Sequence, residues 1–453
     1  MYAIAFVAAV RSSTELTGLE FACLQRFARR RKRSGDIIGN ANGAKRQRKT
    51  GIGSSSKNGE WDGVSGMEAM EWEAEKMSVA VATPLARSVA EQAVGSSVYH
   101  GVRTVTGFGD SDAELRAALT DAVAHDMGWR RRITVTGEDR LRWLSGMVTN
   151  HVAALEAGAS NYNLVLNAQG RIQGDCCVWR GSDGGLDLEM DEDQREAMVA
   201  HLERFIIMDD VELKPRDGWT TLGLAGPQAA AVLQRALEID LSAMEPGMWR
   251  STALRGASET GVETSLETSV EIRRETGRLS GHWELWCRER DVWAAWRAME
   301  AAGAFAAGCE ALERLRIVEG MPAFGVDFGG DTLPQETALD EALHFSKGCY
   351  LGQEIVERIH SRGQVHRHVR ALQMFPVERD PEAGMELSRT DAAEKSVAKV
   401  TSVASVEMDG ARRWFALGMV RAEAEAAELQ YAGGSARVLR GAAVWMTKSK
   451  ETE

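Results

Sequence analysis

Two related α+β lobes followed by a β-barrel lobe is the fold class this 453-residue sequence predicts. Three observations carry it. An order of strand, helix, strands, helix, strand runs through residues 131–215. The same order starts again at 219 and runs to 303, as a repeat of topology and not of letters. After 364 the chain turns to short β-like runs broken by Gly and Asp, with little helix. The doubled order is that of split βαβ, ferredoxin-like units, and the tail that of a barrel or sandwich.

The elements follow in order. ALTDAVAHDMG (118–128) reads as a short helix ending at Gly128, and RRITVTG (131–137) alternates as a half-buried strand does. GEDRLRWLSGMVTN places Leu141, Leu144 and Met147 on one helical face. NYNLVLNAQGRIQGDCCVW is a hairpin turning at 167–170, and GSDGG turns again into the strand LDLEM. In EDQREAMVAHLERFII, Met198, Leu202, Phe205 and Ile206 share a face. VELKP closes the first half. In the second half WTTLGLAG is a strand, and Pro227 opens a helix. SVEIRRE and HWELWC are strands, and DVWAAWRAMEAAG is a helix. Residues 239–268 read as a surface insertion. The halves span 98–364, and 365–447 is the β lobe, built from VHRHVRALQMF, SVAKVTSVASV, RRWFALGMV and ARVLRGAAVWM.

Composition narrows the functional classes. The net charge is −12, yet residues 1–50 hold 11 Lys/Arg against 3 Asp/Glu. The acidic remainder argues against direct nucleic-acid binding by the folded part. Residues 1–85 are basic and Gly/Ser-rich, a composition expected to be disordered. They read as a disordered tail or upstream-start artefact, as a transit peptide, or as a nucleic-acid arm. No apolar run approaches the about 18 residues of a membrane span. Six scattered cysteines, without metal-finger spacing, fit a reducing compartment. The expected location is cytoplasmic, or the mitochondrial matrix if the extension is a transit peptide.

The chemistry concentrates in KGCYLGQE, residues 347–354. A thiol gains reactivity beside a cation or a helix N-terminus. Lys347 offers the cation, Gly348 leaves access, and Cys349 precedes a helix in which Ile355, Val356 and Ile359 form a buried face. The bland alternative is an inert buried cysteine. His344, His360, His366 and His368 match no standard metal spacing.

KGCYLGQE followed by RGQVHRHV resembles the signature of the YgfZ family of folate-binding proteins, within the wider group of glycine-cleavage aminomethyltransferases. VTGEDRLRWLSGMVTNHVAAL, NYNLVLNAQGRIQGD, LERLRIVEGMP and DTLPQE resemble other family segments in the same order. The resemblance implies a three-lobed ring around a folate-sized opening. It implies support for iron–sulfur cluster assembly or repair in selected enzymes, including radical tRNA-modifying enzymes. Cys349 would be the functional thiol, with Lys347, Tyr350, Gln353 and Glu354 at the other motif positions. Tetrahydrofolate or a derivative would bind through Glu284 and Arg316, with Trp283 and Trp286 flanking Glu284. A transient cluster would be shared with client enzymes or assembly proteins, because one thiol cannot hold a cluster alone. The alternative is a tetrahydrofolate-dependent one-carbon transferase. Against it, aligning the aminomethyltransferase pattern on LEMDEDQREAM puts Ala197 or Met198 where the catalytic aspartate belongs, and reads Asp191 and Asp193 as helix-starting acids. A third reading is a plain folate-binding or scaffold protein with an inert cysteine.

Overall fold

The computed structural model describes residues 80–255, 267–275, 281–408 and 410–439. Residues 1–79 of the expected extension, 256–266 of the insertion and the end of the last β run lie outside them. From Val81 onward the described residues form one compact unit.

Helix α1 (Pro84–Ser88) is capped by the Thr83 hydroxyl, which accepts from Ala86 N at 3.1 Å. A hairpin of β1 (Gly95–Tyr99) and β2 (Val102–Gly107) follows, then α2 (Ser111–Thr120). The predicted helix over 118–128 does not extend to Gly128. It stops at Thr120, and Val123–Asp126 forms strand β3. Hydrogen bonds from two neighbouring strands override the local preference of an Ala-rich run, and Val123 and Ala124 are fully buried there.

The first lobe runs β4 (Arg130–Thr136), α3 (Arg140–Met147), β5 (Ser160–Leu166), β6 (Ile172–Arg180), β7 (Leu186–Asp191), α4 (Glu192–Glu203) and β8 (Glu212–Pro215). Its antiparallel sheet has the order β5-β6-β7-β4-β8. The second lobe runs β9 (Trp219–Ala225), α5 (Ala229–Leu237), β10 (Trp249–Arg255), β11 (Glu267–Glu275), β12 (His282–Arg288), α6 (Val292–Ala301) and β13 (Phe305–Ala307). Its sheet order, β10-β11-β12-β9-β3-β13, is the first lobe's with β3 wedged in before the last strand. The repeat of topology therefore holds. The expectation for 239–268 needs correction. Trp249–Arg255 is the edge strand of this sheet, paired in register with β11, and Leu241, Met244 and Leu254 are buried in its core.

Helix α7 (Cys309–Glu319) and α8 (Gln353–Arg362) lead to the third lobe. There β14 (Arg367–Pro376), β15 (Glu386–Arg389), β16 (Ala392–Met408), β17 (Ala411–Arg421), β18 (Leu429–Tyr431) and β19 (Gly434–Val438) close into a barrel. Of the four expected β runs, the last extends past 439, outside the described residues. No helix among the described residues is long and apolar enough to cross a membrane.

Strand alternation sets the two faces of each lobe sheet. Ile133, Cys176, Val178, Leu188 and Met190 face helices α3 and α4 in one core. Leu222, Leu224, Val270, Ile272, Trp283 and Leu285 face α5 and α6 in another. The intervening positions point the other way. There the two sheets meet each other, joined by Arg132 to Glu271 and by Arg273 to Glu189. Where the two sheets face each other, Arg132, Glu189, Glu271, Arg273 and Glu284 of these strands are buried.

Candidate functional site

Two places in the fold concentrate chemistry. The first is the thiol loop. Cys349 is exposed, whereas Cys176, Cys177, Cys287 and Cys309 are buried. Burial pushes the thiols of Cys177, Cys287 and Cys309 up to about 12, and that of Cys176 well above its ordinary value. Helix α8 begins at Gln353 as expected. On it Val356 is buried, while Ile355 and Ile359 are half-buried. Gln353 is half-buried and Glu354 exposed at its first turn. Tyr350 is buried among Leu164, Leu166 and Val356.

Lys347 has a different task from the one its neighbourhood suggests. Its Nζ donates to the carbonyls of Ser145 (2.7 Å), Val148 (2.5 Å) and Asn150 (2.8 Å). An ammonium has three protons, so the carbonyls take them all. Burial pulls its pKa down to about 8, which leaves the charged form dominant at neutral pH. The hairpin turn packs directly on this loop. Gly352, at φ +83°, lies so close to Asn167 that an added Cβ would sit 2.6 Å from its carbonyl oxygen. Three stretches far apart in sequence (GMVTN, NAQGR and KGCYLGQE) thus meet at one place.

The second place is the seam between the lobe sheets. One cross-strand row of the second sheet reads His125, Gly223, Glu284, Arg273. Gly223 is required there, because the His125 ring occupies the space a Cβ would need, with Cε1 2.0 Å from that position. Glu284 is fully buried. It accepts from Arg273 Nε (3.0 Å) and Nη2 (2.6 Å) and from Trp286 Nε1 (3.1 Å), and it is hydrogen-bonded to Glu275. Burial opposes its ionisation, but Arg273 and the Glu275 hydrogen bond hold it well below the usual carboxylate range. Its neighbours carry the opposite burden. Burial, together with the Glu284 charge, raises Glu275 to about 7 and Glu189 to about 8, against the pull of Arg273. Glu189, Glu275 and Glu284 bring three carboxylates within metal-ligand range. Arg273 Nη2 contacts all three, at 3.3, 2.5 and 2.6 Å, and fills the cation's place.

The residues proposed for folate fit it unevenly. A carboxylate offers about four lone-pair positions, and those of Glu284 are already engaged. Glu189 Oε2, fully buried, is an acceptor without a partner. Trp283 faces the helix core, not the seam. Trp286 does face the seam, and Arg132 covers its ring at 4.0 Å. Arg316 lies elsewhere, on α7 against the barrel. All five of its N–H groups are taken, by Glu313 (2.7 and 2.5 Å), Asp327 (2.8 Å), the Met321 carbonyl (3.1 Å) and Ser402 Oγ (3.1 Å). It has no donor left for a glutamate tail. Two surface clefts of about 300 and 430 Å³ lie beside Gly218 and on the barrel rim at 386–432, and Glu189, Glu275 and Glu284 line neither.

Several groups escaped the sequence reading. Asp175 on β6 accepts from the Tyr162 hydroxyl (2.5 Å) and from Gln194 Nε2 (2.7 Å). Burial, then the Asp191 charge, raises its pKa. It is a carboxylate of the kind the aligned Ala197 or Met198 does not supply, and Met198 packs in the core. Asp191 and Asp193 do more than start a helix. They flank His100 at 3.2 and 3.8 Å and raise it to about 9 against the effect of burial. The available signal was charge at every second position, at 187, 189 and 191 between apolar residues and at 271, 273 and 275 of a strand interrupted by Arg274.

Two facing α+β sheets, a closed barrel and a buried charged seam define a multi-lobed protein with its polar chemistry at the lobe junction. The chain belongs to the GCVT N-terminal domain family, whose model matches residues 86–347, more than half its length. It is 29% identical to an aminomethyltransferase of Rubrobacter xylanophilus over 254 residues, 55% of this chain and 65% of that protein. It therefore spans slightly under two thirds of that relative. It is 28% identical over 293 residues to an aminomethyltransferase of Geobacillus kaustophilus, covering 63% of this chain and 78% of that one. In fold it is similar to glycine cleavage system aminomethyltransferase T from Bartonella henselae, with a TM-score of 0.66 at 19% identity, over 79% of this chain and 96% of that one.

Proposed function

We propose that this protein is a folate-binding member of its family that supports assembly or repair of iron–sulfur clusters in selected enzymes, such as radical tRNA-modifying enzymes, through Cys349. One observation carries the reading. Of the five free cysteines among the described residues, four are buried, and the fifth stands in solvent within the KGCYLGQE loop. A thiol so placed reaches another macromolecule more readily than a small substrate held in the seam. Because a cluster needs several ligands, the others come from a client, an assembly protein or a small thiol. In the folate part of this reading, Glu189 Oε2 and Glu284 face the donor edge of the pterin, and Arg273 yields part of its grip on Glu284. The test is complementation of cells lacking their own YgfZ-like protein, read as activity of a cluster-dependent tRNA-modifying enzyme. Rescue by the wild-type chain but not by Cys349→Ala is expected. Equal rescue by both would sink the thiol's role.

A second reading is a tetrahydrofolate-dependent one-carbon transferase. The curated relatives favour it by name, and Asp175 beside Tyr162 is a half-buried carboxylate suited to holding a proton near a reacting amine. Turnover of a methylamine donor with tetrahydrofolate, abolished by Asp175→Asn and indifferent to Cys349→Ala, would establish it in place of the first.

A further inference from the structure

We infer that Lys347 is the positioning residue for Cys349: its ammonium, caged by three main-chain carbonyls, fixes one footing of a two-residue arch that holds the thiol in solvent. The inference rests on the reading of Cys349 as the acting thiol.

The cage sits at the C-terminal end of α3. Ser145 lies in its last turn and Val148 is its C-cap, and the carbonyls there lack helical partners. A cation is favoured at such an end. Three carbonyls converge on one atom at 2.5–2.8 Å, an arrangement suited to a compact ammonium. The planar fork of an arginine spreads its donors and does not reproduce it. The other footing is Tyr350, buried in the core, followed by Leu351, whose N–H donates to the Gly146 carbonyl at 2.9 Å. Both footings thus rest on residues 145–150. Further ties bind the same two segments. Thr149 Oγ1 donates to the Ala342 carbonyl (2.7 Å), Asn150 Nδ2 to the Glu341 carbonyl (2.7 Å), and His344 N to the Thr149 carbonyl (3.3 Å). Between the footings stand only Gly348, around which nothing lies within 4 Å of a Cβ position, and Cys349. Lys347 therefore acts on the thiol through the backbone and not through its charge.

The test compares the full-length wild-type chain with Lys347→Arg and Lys347→Met. Two readouts are taken: amide hydrogen exchange, and the pH profile of Cys349 alkylation by N-ethylmaleimide. Both variants should speed exchange at Leu351 and His344 by on the order of tenfold, with barrel amides such as Leu372 unchanged. The midpoint of the alkylation profile should stay where it is in the wild type. An electrostatic role gives the reverse: Lys347→Arg behaves as wild type, and Lys347→Met moves the midpoint upward. That pattern would overturn the inference. If Lys347→Met does not fold, Lys347→Arg decides alone, since wild-type protection of Leu351 in that variant also overturns it. Neither readout involves a cluster or folate, so failure here is distinct from failure of the complementation assay.

Discussion

At the scale of single residues, environment sorts like from like. Cys176 and Cys177 are neighbours in sequence and both buried, on opposite faces of β6. Cys349 has the same chemistry and none of the burial. Native protein treated briefly with N-ethylmaleimide should carry the label on Cys349 and not on Cys176, Cys177, Cys287 or Cys309, as peptide mass spectrometry would read directly. Gly352 makes a second residue-scale case. Its positive φ and its contact with Asn167 leave no space for a methyl group. Gly352→Ala should cost about 1–3 kcal/mol in denaturant unfolding, from backbone strain alone. His100 gives a third. Its folded pKa, about 9, exceeds the ordinary 6.5. Its pairing with Asp191 and Asp193 therefore contributes fully below pH 6.5 and is lost as pH rises through 9. The stability difference between wild type and His100→Asn should shrink over that window by up to about 3 kcal/mol. A difference that stays flat across the window would show that the pairing is not charged.

At the scale of elements, the seam explains why charged strands are tolerated inside the molecule. The central strands send apolar positions to the helices, and at the seam Arg132 and Arg216 meet Glu271 while Arg273 meets Glu189 and Glu284. Burial, together with the Glu284 charge, outweighs the pull of the arginines on Glu275 and Glu189 and leaves both with raised pKa values. A raised carboxylate weakens the fold as pH climbs from its unfolded value through its folded one. Glu275→Gln keeps a donor for Glu284 and removes that burden. It should be neutral near pH 5 and stabilising by about 1–2 kcal/mol at pH 8, measured as the shift in unfolding free energy between the two pH values.

At the scale of the whole molecule, Arg316 joins the second lobe to the barrel. Asp327, its fully buried partner, also accepts from Thr401 Oγ1 (2.5 Å) and Ser402 Oγ (2.7 Å) of β16. Removing the cation strands a buried carboxylate. Arg316→Met should therefore lower global stability by about 3–5 kcal/mol. On the proposed folate-binding reading, folate affinity of the folded fraction, followed by fluorescence titration, should be unchanged. A selective loss of affinity for polyglutamylated folate would return Arg316 to the tail-binding role.

Much of this architecture follows from local signals. The amphipathic helices 192–203 and 292–301, the hairpin turning at 167–170 and the β tail are written in periods of 3.6 and 2, which depend only on side-chain direction. Cys349 and its motif were legible for the same reason, as a contiguous run of residues. Other features depend on contacts distant in sequence. Residues 123–126 are a strand because β9 and β13 flank them. Trp249–Arg255 pairs with β11 across the undescribed residues 256–266. Glu284 stands out only through the resemblance, and nothing local marks Glu189 and Arg273 as the buried groups beside it, because a second sheet has to cover them first. Lys347 reads as the thiol's counter-ion until the end of α3 takes its three protons. The sequence by itself determined the lobes, their repeat and the thiol. Only the tertiary structure decided which charges are buried and which groups each side chain bonds, because burial and pairing belong to surfaces brought together and not to the residues that line them.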